Sequence, residues 1–158
     1  MNSEEKRFMK IAIDLAKDNI KNNNGGPFGA IIVRNGEIIA TGVNNVTKNN
    51  DPTAHAEITA IRNACKKLET FELNDCEIYS SCEPCPMCLG AIYWARFKKL
   101  YFAASKNDAA SIGFDDAFIY NEFNKPYKER NIECIQIMRD EAVKAFEIWE
   151  KTEEKIQY

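Results

Sequence analysis

Two short segments of the chain carry residues that could bind a metal ion. One holds His55, the only histidine, with Glu57 two positions later. The other places Cys85 and Cys88 three residues apart, behind a proline at the start of a predicted helix, so both thiols can face one point. Thiolate and imidazole are ligands that Zn²⁺ accepts in a tetrahedral site, and the positive end of a helix dipole favours ionised thiols. Three such ligands leave one position open for water, which is typical of catalytic zinc.

Simpler interpretations of these residues exist. A single histidine is more often an ordinary side chain than a ligand, and overlapping Cys-x-x-Cys frames at 82–85 and 85–88 could form a redox pair or part of a structural zinc site. A redox pair needs no distant histidine, and a four-cysteine site needs a second paired arm. The remaining cysteines do not supply that arm: Cys65, Cys76 and Cys134.

The joint pattern His-x-Glu followed by Pro-Cys-x-x-Cys is the signature of zinc nucleobase deaminases. Such chemistry needs a carboxylate that moves protons without binding the metal, and Glu57 fits that role. Residues two apart in a helix point in different directions, so His55 and Glu57 reach one site only near a helix start. Residues 51–53, Asp-Pro-Thr, predict such a start.

Composition limits the remaining possibilities. The 158 residues, 45% apolar and 28% charged, predict a single domain over residues 1–158. A net charge of -3 disfavours a nucleic-acid partner. The longest largely apolar run, 87–95, is less than half of the ~20 residues that cross a bilayer, so no membrane association is expected. The first ten residues lack the apolar region of a signal peptide, and we therefore expect a cytoplasmic protein with reduced cysteines.

Hydrophobic periodicity and turn residues predict the elements that position these segments. Met9, Ile13, Ala16 and Ile20 recur at helical spacing within a helix over 3–22. Asn-Gly at 35–36 separates two β-rich runs and predicts a hairpin with a type I′ turn. The other predicted helices and strands follow in chain order: a helix over 54–67, a strand over 76–81, a helix over 86–96, a strand over 100–104, a short helix over 115–123, a strand over 132–138 and a helix over 140–153. This order predicts an α/β fold, a three-layer α/β/α sandwich around a mixed sheet of about five strands.

Several segments beyond the metal motif carry a resemblance that covers essentially the whole chain. They are Gly25–Ala30, Asn44-Asn45, Asp51–Glu57, Cys82–Arg96 (CEPCPMCLGAIYWAR), Gly113–Asp116 and the terminal Tyr158. With them the chain resembles the bacterial guanine deaminases of the cytidine-deaminase-like superfamily. The two zinc motifs alone indicate deamination without naming the substrate. The segment 93–96 and the aspartate-rich segment resemble the guanine branch.

The resemblance implies roles for individual residues. It implies that His55, Cys85 and Cys88 bind one Zn²⁺ per chain and that Glu57 is the catalytic proton shuttle. It also implies a set of residues that bind the purine base: Asn44, Phe28, Trp94, Asp116 and Tyr158.

The reaction that the resemblance implies is hydrolysis of guanine to xanthine and ammonia, as in purine breakdown or salvage. Glu57 would take a proton from water, deliver it to the ring nitrogen and later protonate the departing amine. Guanine presents donors at N1 and the 2-amino group, so an acceptor such as Asp116 would complement it. Three alternatives remain open: deamination of guanosine or another aminated purine, deamination of adenosine in transfer RNA, and a non-enzymatic zinc-binding module.

The C-terminal region also carries an expectation. Val143, Phe146 and Trp149 form an apolar stripe on the final predicted helix. The stripe could pack on its own sheet, but the family it resembles implies a homodimer that exchanges C-terminal segments. The polar connection at 121–131 could act as the hinge, and Tyr158 would then close the partner's pocket.

Overall fold

The computed structural model describes residues 2–158, which form two compact units. The first unit ends at Asp116 and the second spans Ala117–Tyr158. The first unit contains α1 (Ser3–Lys21), β1 (Gly29–Arg34), β2 (Glu37–Val43), α2 (Val46–Asn49), α3 (Ala56–Leu68), β3 (Cys76–Cys82), α4 (Pro86–Trp94), β4 (Lys99–Ala104) and α5 (Lys106–Ser111). The second contains α6 (Ala117–Phe123), a 3₁₀ turn (Tyr127–Glu129) and α7 (Arg139–Lys151).

The sheet of the first unit is mixed, with strand order β2-β1-β3-β4. β1 pairs antiparallel with both β2 and β3, whereas β3 and β4 are parallel and are joined through α4. The hairpin prediction is confirmed in detail, because Asn35 and Gly36 have φ values of 51° and 79°, as a type I′ turn requires.

Helices cover both faces of this sheet. Successive strand residues point to opposite faces, so Ala30, Ile32 and Ile78 pack in a core with α3 and α4. Ile31, Val33 and Tyr79 pack in a second core against α1. The predicted three-layer α/β/α architecture is therefore confirmed.

One predicted strand is not formed. Residues 132–138 form no strand, so the sheet has four strands within residues 2–158 instead of about five. The apolar residues there favour β structure, but strand formation depends on a neighbour that completes the ladder. In the second unit α7 has no buried residue. Across residues 2–158, no helix combines the length and apolar character needed to cross a membrane.

The close packing of α3 on β2 depends on Gly42. A Cβ atom at this position would lie 2.1 Å from the Ala56 carbonyl oxygen and 2.5 Å from the Ala60 nitrogen, both backbone atoms of α3. We therefore expect Gly42→Ala to lower the free energy of unfolding by about 1–3 kcal/mol or more.

Urea unfolding measures this effect, and Gly90→Ala is the matched control. Gly90 lies inside α4, and nothing lies within 4 Å of its added Cβ. Alanine is more stable than glycine in a helix interior. The control should therefore be neutral or raise the free energy of unfolding by up to about 1 kcal/mol. Equal stability of the two variants would contradict this account of the α3 contact.

Candidate active site

Two helix N-termini meet at one point of the first unit. His55 is the N-cap residue of α3, and Cys85 is the N-cap residue of α4, whose first turn begins with Pro86. Cys88 follows in that turn and is fully buried. The starts of α3 and α4 thus bring together the three predicted ligands, whose donor atoms all lie within 4.8 Å of one another.

The spacing of these atoms fits a tetrahedral zinc ion. His55 Nδ1 lies 3.5 Å from Cys85 Sγ and 3.5 Å from Cys88 Sγ. Zinc bonds of about 2.3 Å to sulfur and about 2.0–2.1 Å to nitrogen at tetrahedral angles place such ligand atoms about 3.5 Å apart. Both the donor set and its dimensions therefore suit Zn²⁺.

The charges of the two thiols depend on each other. Hydrogen bonds from Cys88 and His55 lower the pKa of Cys85 to about 4. The hydrogen bond with Cys85, together with burial, raises the pKa of Cys88. The Cys85 thiolate thus forms readily, and its negative charge disfavours ionisation of Cys88 beside it. A divalent cation bound between the two sulfur atoms would relieve this repulsion.

Glu57 lies beside this cluster in the first turn of α3 and is only 6% exposed. Ser80 Oγ donates to its Oε1 at 3.0 Å, and Cys88 Sγ donates to its Oε2 at 3.4 Å. Burial raises the pKa of Glu57. The carboxyl group is therefore suited to hold a proton and to pass it on.

Ser80 is a site residue that the sequence analysis missed. It lies on β3 and is 2% exposed, on the same strand face as Cys76 and Ile78, which belong to the apolar core. A polar residue at a core position of a strand is the signal that could have identified it, because buried polar groups need a partner.

A cavity of about 490 Å³ opens beside the cluster. Its lining includes six of the predicted residues: Phe28, Asn44, His55, Glu57, Cys85 and Asp116. Phe114, a further lining residue, packs edge-on against Phe28 with ring centroids 4.9 Å apart. Burial and the nearby charge of Cys85 raise the pKa of Asp116. The cavity thus combines an aromatic wall, an amide and a carboxylate near the His55, Cys85 and Cys88 side chains.

Two predicted substrate residues are not placed in this lining. Trp94 ends α4 and is 68% exposed, and it is not among the residues that line the cavity. Tyr158 belongs to the second unit and is 71% exposed. Their roles in binding the base stay predictions.

Comparison with known proteins identifies the family. Residues 2–104 match the cytidine and deoxycytidylate deaminase zinc-binding region. The chain belongs to this deaminase family. The matched region of the deaminase contains one His-Cys-Cys cluster, which accounts for one Zn²⁺ per chain.

The similarity extends beyond the zinc-binding region. Guanine deaminase from Bacillus subtilis (strain 168) is 55% identical to this deaminase over 151 residues, which cover 96% of this chain and 97% of that protein. The X-ray structure of guanine deaminase from Bacillus subtilis matches with a TM-score of 0.95 and 54% identity, over 100% of this chain and 99% of that one. A tRNA-specific adenosine deaminase from Aquifex aeolicus is 45% identical over 97 residues, or 61% of this chain and 64% of that protein.

Proposed function

We propose that the protein is a zinc-dependent guanine deaminase that hydrolyses guanine to xanthine and ammonia in purine breakdown or salvage. The observation that carries this proposal is the cavity in which Glu57 lies beside the His55, Cys85 and Cys88 cluster. Similarity to Bacillus subtilis guanine deaminase along 96% of the chain supports guanine as the substrate.

In this proposal His55, Cys85 and Cys88 hold the zinc ion, and Glu57 stays outside its ligand shell. Zinc, when bound, makes a water molecule acidic enough to act as a nucleophile near neutral pH. The carboxylate of Glu57 would accept a proton from the attacking water. Because burial raises its pKa, Glu57 retains the proton long enough to deliver it to the ring nitrogen next to C2.

The second proton transfer uses the same side chain. After the first transfer Glu57 takes the remaining proton from the hydroxyl group now on C2 and delivers it to the 2-amino group as the C2–N bond breaks. Ammonia leaves, and the water oxygen remains on C2 as the carbonyl oxygen. One water is consumed, and xanthine and ammonia are formed. Ser80 keeps Oε1 of Glu57 occupied through its hydroxyl group, which holds the carboxylate in one orientation during both transfers.

The cavity residues recognise the base in this proposal. Phe28 provides an aromatic wall, and Asn44 provides an amide at the cavity edge. Asp116 accepts hydrogen bonds from the donors at N1 and the 2-amino group of guanine. Cytosine offers a different arrangement of donors and acceptors, so this pairing favours guanine.

Adenosine in transfer RNA is the alternative substrate that similarity to tRNA-specific adenosine deaminases suggests. A transfer-RNA substrate requires a basic surface for its phosphates. The net charge of this chain is -3, which favours the small purine base over the nucleic acid.

Removal of the metal tests the zinc dependence of this function. A chelator is expected to abolish guanine turnover, and addition of about one equivalent of zinc per chain should restore it, because three ligands form one site. Magnesium, which prefers oxygen ligands, is the matched control and should restore nothing. Full turnover by protein shown to be free of metal would contradict the proposal.

We also propose that residues 1–158 act as one deaminase domain that is completed in a homodimer by exchanged C-terminal segments. Large apolar side chains are exposed in the second unit, among them Phe146 at 72% and Trp149 at 46%. Exposed apolar groups in such number are typical of a surface that binds another protein. A second copy of the chain is the partner, and Tyr158 of the partner subunit closes the substrate cavity.

Deletion of residues 151–158 tests this arrangement. We expect the truncated chain to retain zinc, because all three ligands precede it, but to turn over guanine more slowly. Refolding a truncated chain together with a full-length Glu57→Gln chain should restore part of the turnover, since the intact tail of the inactive chain can reach the active zinc site. Proven heterodimers without any recovery would mean that each tail serves its own subunit.

We propose that the protein acts in the cytoplasm. All six cysteines are free thiols in the structure, which suits a reducing compartment.

A further inference from the structure

One polar side chain interrupts the apolar face of α1. Phe8, Ala12 and Ala16 are buried there, and Asn19 continues the same face with only 3% of its surface exposed. Burying an amide costs free energy unless its hydrogen bonds are satisfied. The Oδ1 of Asn19 is buried without a hydrogen-bond partner among the described residues, so only its Nδ2 group makes contacts that offset this cost. The contacts of Asn19 therefore indicate why an asparagine occupies a core position.

The amide of Asn19 links two segments of the cavity wall. Its Nδ2 donates to the carbonyl oxygen of Gly26 and to that of Asn44, each at 2.9 Å. Two carbonyl acceptors fix the orientation of this amide, because only the nitrogen can donate. Both Gly26 and Asn44 line the substrate cavity.

The same two segments fix the side chain of Asn44. Its Oδ1 accepts from the backbone N–H of Gly26 and of Val46, each at 3.3 Å. Its own backbone N–H donates to the Phe28 carbonyl oxygen at 3.2 Å. With Oδ1 held by two backbone donors, the Nδ2 group of Asn44 is the part left to donate to a ligand.

We propose that Asn19 is a positioning residue for base binding: it clamps Gly26 to Asn44 and so keeps the Asn44 amide turned with its donor available to the base. This inference rests on the proposed function, because the base is taken to be guanine. Asn19 acts through Asn44 and does not touch the substrate. Its loss should therefore weaken binding of a base that carries a hydrogen-bond acceptor, and should change the rate of the chemical step less.

Steady-state kinetics of Asn19→Ala with guanine test the proposal. We expect KM to rise about tenfold, because a hydrogen bond to the base is weakened when its donor is no longer oriented. kcat should change less than about threefold, and the zinc content should be unchanged. Phe8→Leu is the matched control: it also weakens the buried face of α1, but Phe8 packs in the core with Tyr79, away from Asn44. The control should lower the melting temperature and leave KM unchanged. If Asn19→Ala does not fold, Asn19→Ser, which keeps one hydroxyl donor, should change KM in the same direction by a smaller factor.

A double-mutant cycle separates positioning from simple destabilisation. In an Asn44→Ala background, Asn19→Ala should change kcat/KM less than about twofold, because the group it positions is gone. The loss of thermal stability should persist in both backgrounds. An equal effect on kcat/KM in both backgrounds, or an unchanged KM in the single variant, would overturn the inference.

A readout independent of turnover keeps this inference distinct from the proposed function. The side-chain amide signals of Asn44 in ¹H–¹⁵N NMR spectra should shift in Asn19→Ala and remain in place in Phe8→Leu. Unchanged Asn44 signals in Asn19→Ala would refute the clamp even if guanine is the substrate. If the Asn44 signals shift in Asn19→Ala but the parent chain does not deaminate guanine, the proposed function is refuted and the positioning role of Asn19 stands.

Discussion

The Glu57→Gln chain is expected to turn over guanine about 10²- to 10⁴-fold more slowly than the parent, the range typical of a lost general acid-base group. Glutamine keeps the shape of the side chain and an oxygen that can accept a hydrogen bond from Ser80 Oγ. In the parent chain this hydroxyl lies 3.0 Å from Glu57 Oε1. It cannot take up and release the proton. Steady-state rates of xanthine formation measure the loss.

Zinc content is the control for this variant. Glu57 is outside the proposed ligand set, so elemental analysis should find about one zinc per chain in both proteins. Turnover at the parent rate with glutamine at this position would contradict the proton-shuttle role. Loss of zinc together with turnover would place Glu57 among the metal ligands instead.

The second large effect is expected from Cys88→Ser. Cys88 is fully buried in the first turn of α4, and serine occupies a similar volume, so the fold should persist. The soft thiolate ligand is lost, however, and only two of the three proposed protein ligands remain. We expect purified protein to contain far less than one zinc per chain and to show no measurable guanine turnover.

Cys134→Ser provides the matched control, because Cys134 is exposed and lies outside the His-Cys-Cys cluster. This variant should retain zinc and parent turnover. Full zinc occupancy in Cys88→Ser would rule out the three-ligand assignment, and zinc loss in Cys134→Ser would show that the metal site is elsewhere.

Local sequence signals were sufficient where chemistry or turn geometry restricts the residue type. The Asn35-Gly36 turn needs positive φ values, and both residues adopt them. The His-Cys-Cys cluster was predictable because His-x-Glu combined with Pro-Cys-x-x-Cys is a specific spacing of zinc ligands and a proton-transfer group. The two motifs lie about thirty residues apart in the chain, yet the first three-layer unit brings them together as predicted.

Signals that depend on tertiary partners were less reliable. The predicted stripe of α1 ended at Ile20, which is 54% exposed, whereas the polar Asn19 is buried in its place. Periodicity alone favours the apolar residue, and only the carbonyl groups of Gly26 and Asn44 explain the asparagine. The strand predicted at 132–138 was wrong for a similar reason, since its β propensity could not reveal whether a neighbouring strand would pair with it.

Two short helices, α2 and α5, were not predicted, although a local signal for α5 was present. Ser105 is the N-cap residue of α5. Its side chain accepts from the Asp108 backbone N–H, while the Asp108 side chain accepts from the Ser105 backbone N–H. This reciprocal pair is a variant of the capping box, in which aspartate stands where glutamate is usual. Recognition of that variant would have placed the helix that contributes Lys106 and Ala109 to the cavity.

The most direct test of the proposed guanine deamination is a substrate panel with the zinc-loaded protein, measuring ammonia and the deaminated product from guanine, guanosine, cytosine, adenine and a transfer-RNA hairpin. The proposal predicts that guanine yields equal amounts of xanthine and ammonia, at a rate that Glu57→Gln reduces, and that the other compounds react far more slowly. Ammonia released from another compound, with guanine left unchanged, would contradict it.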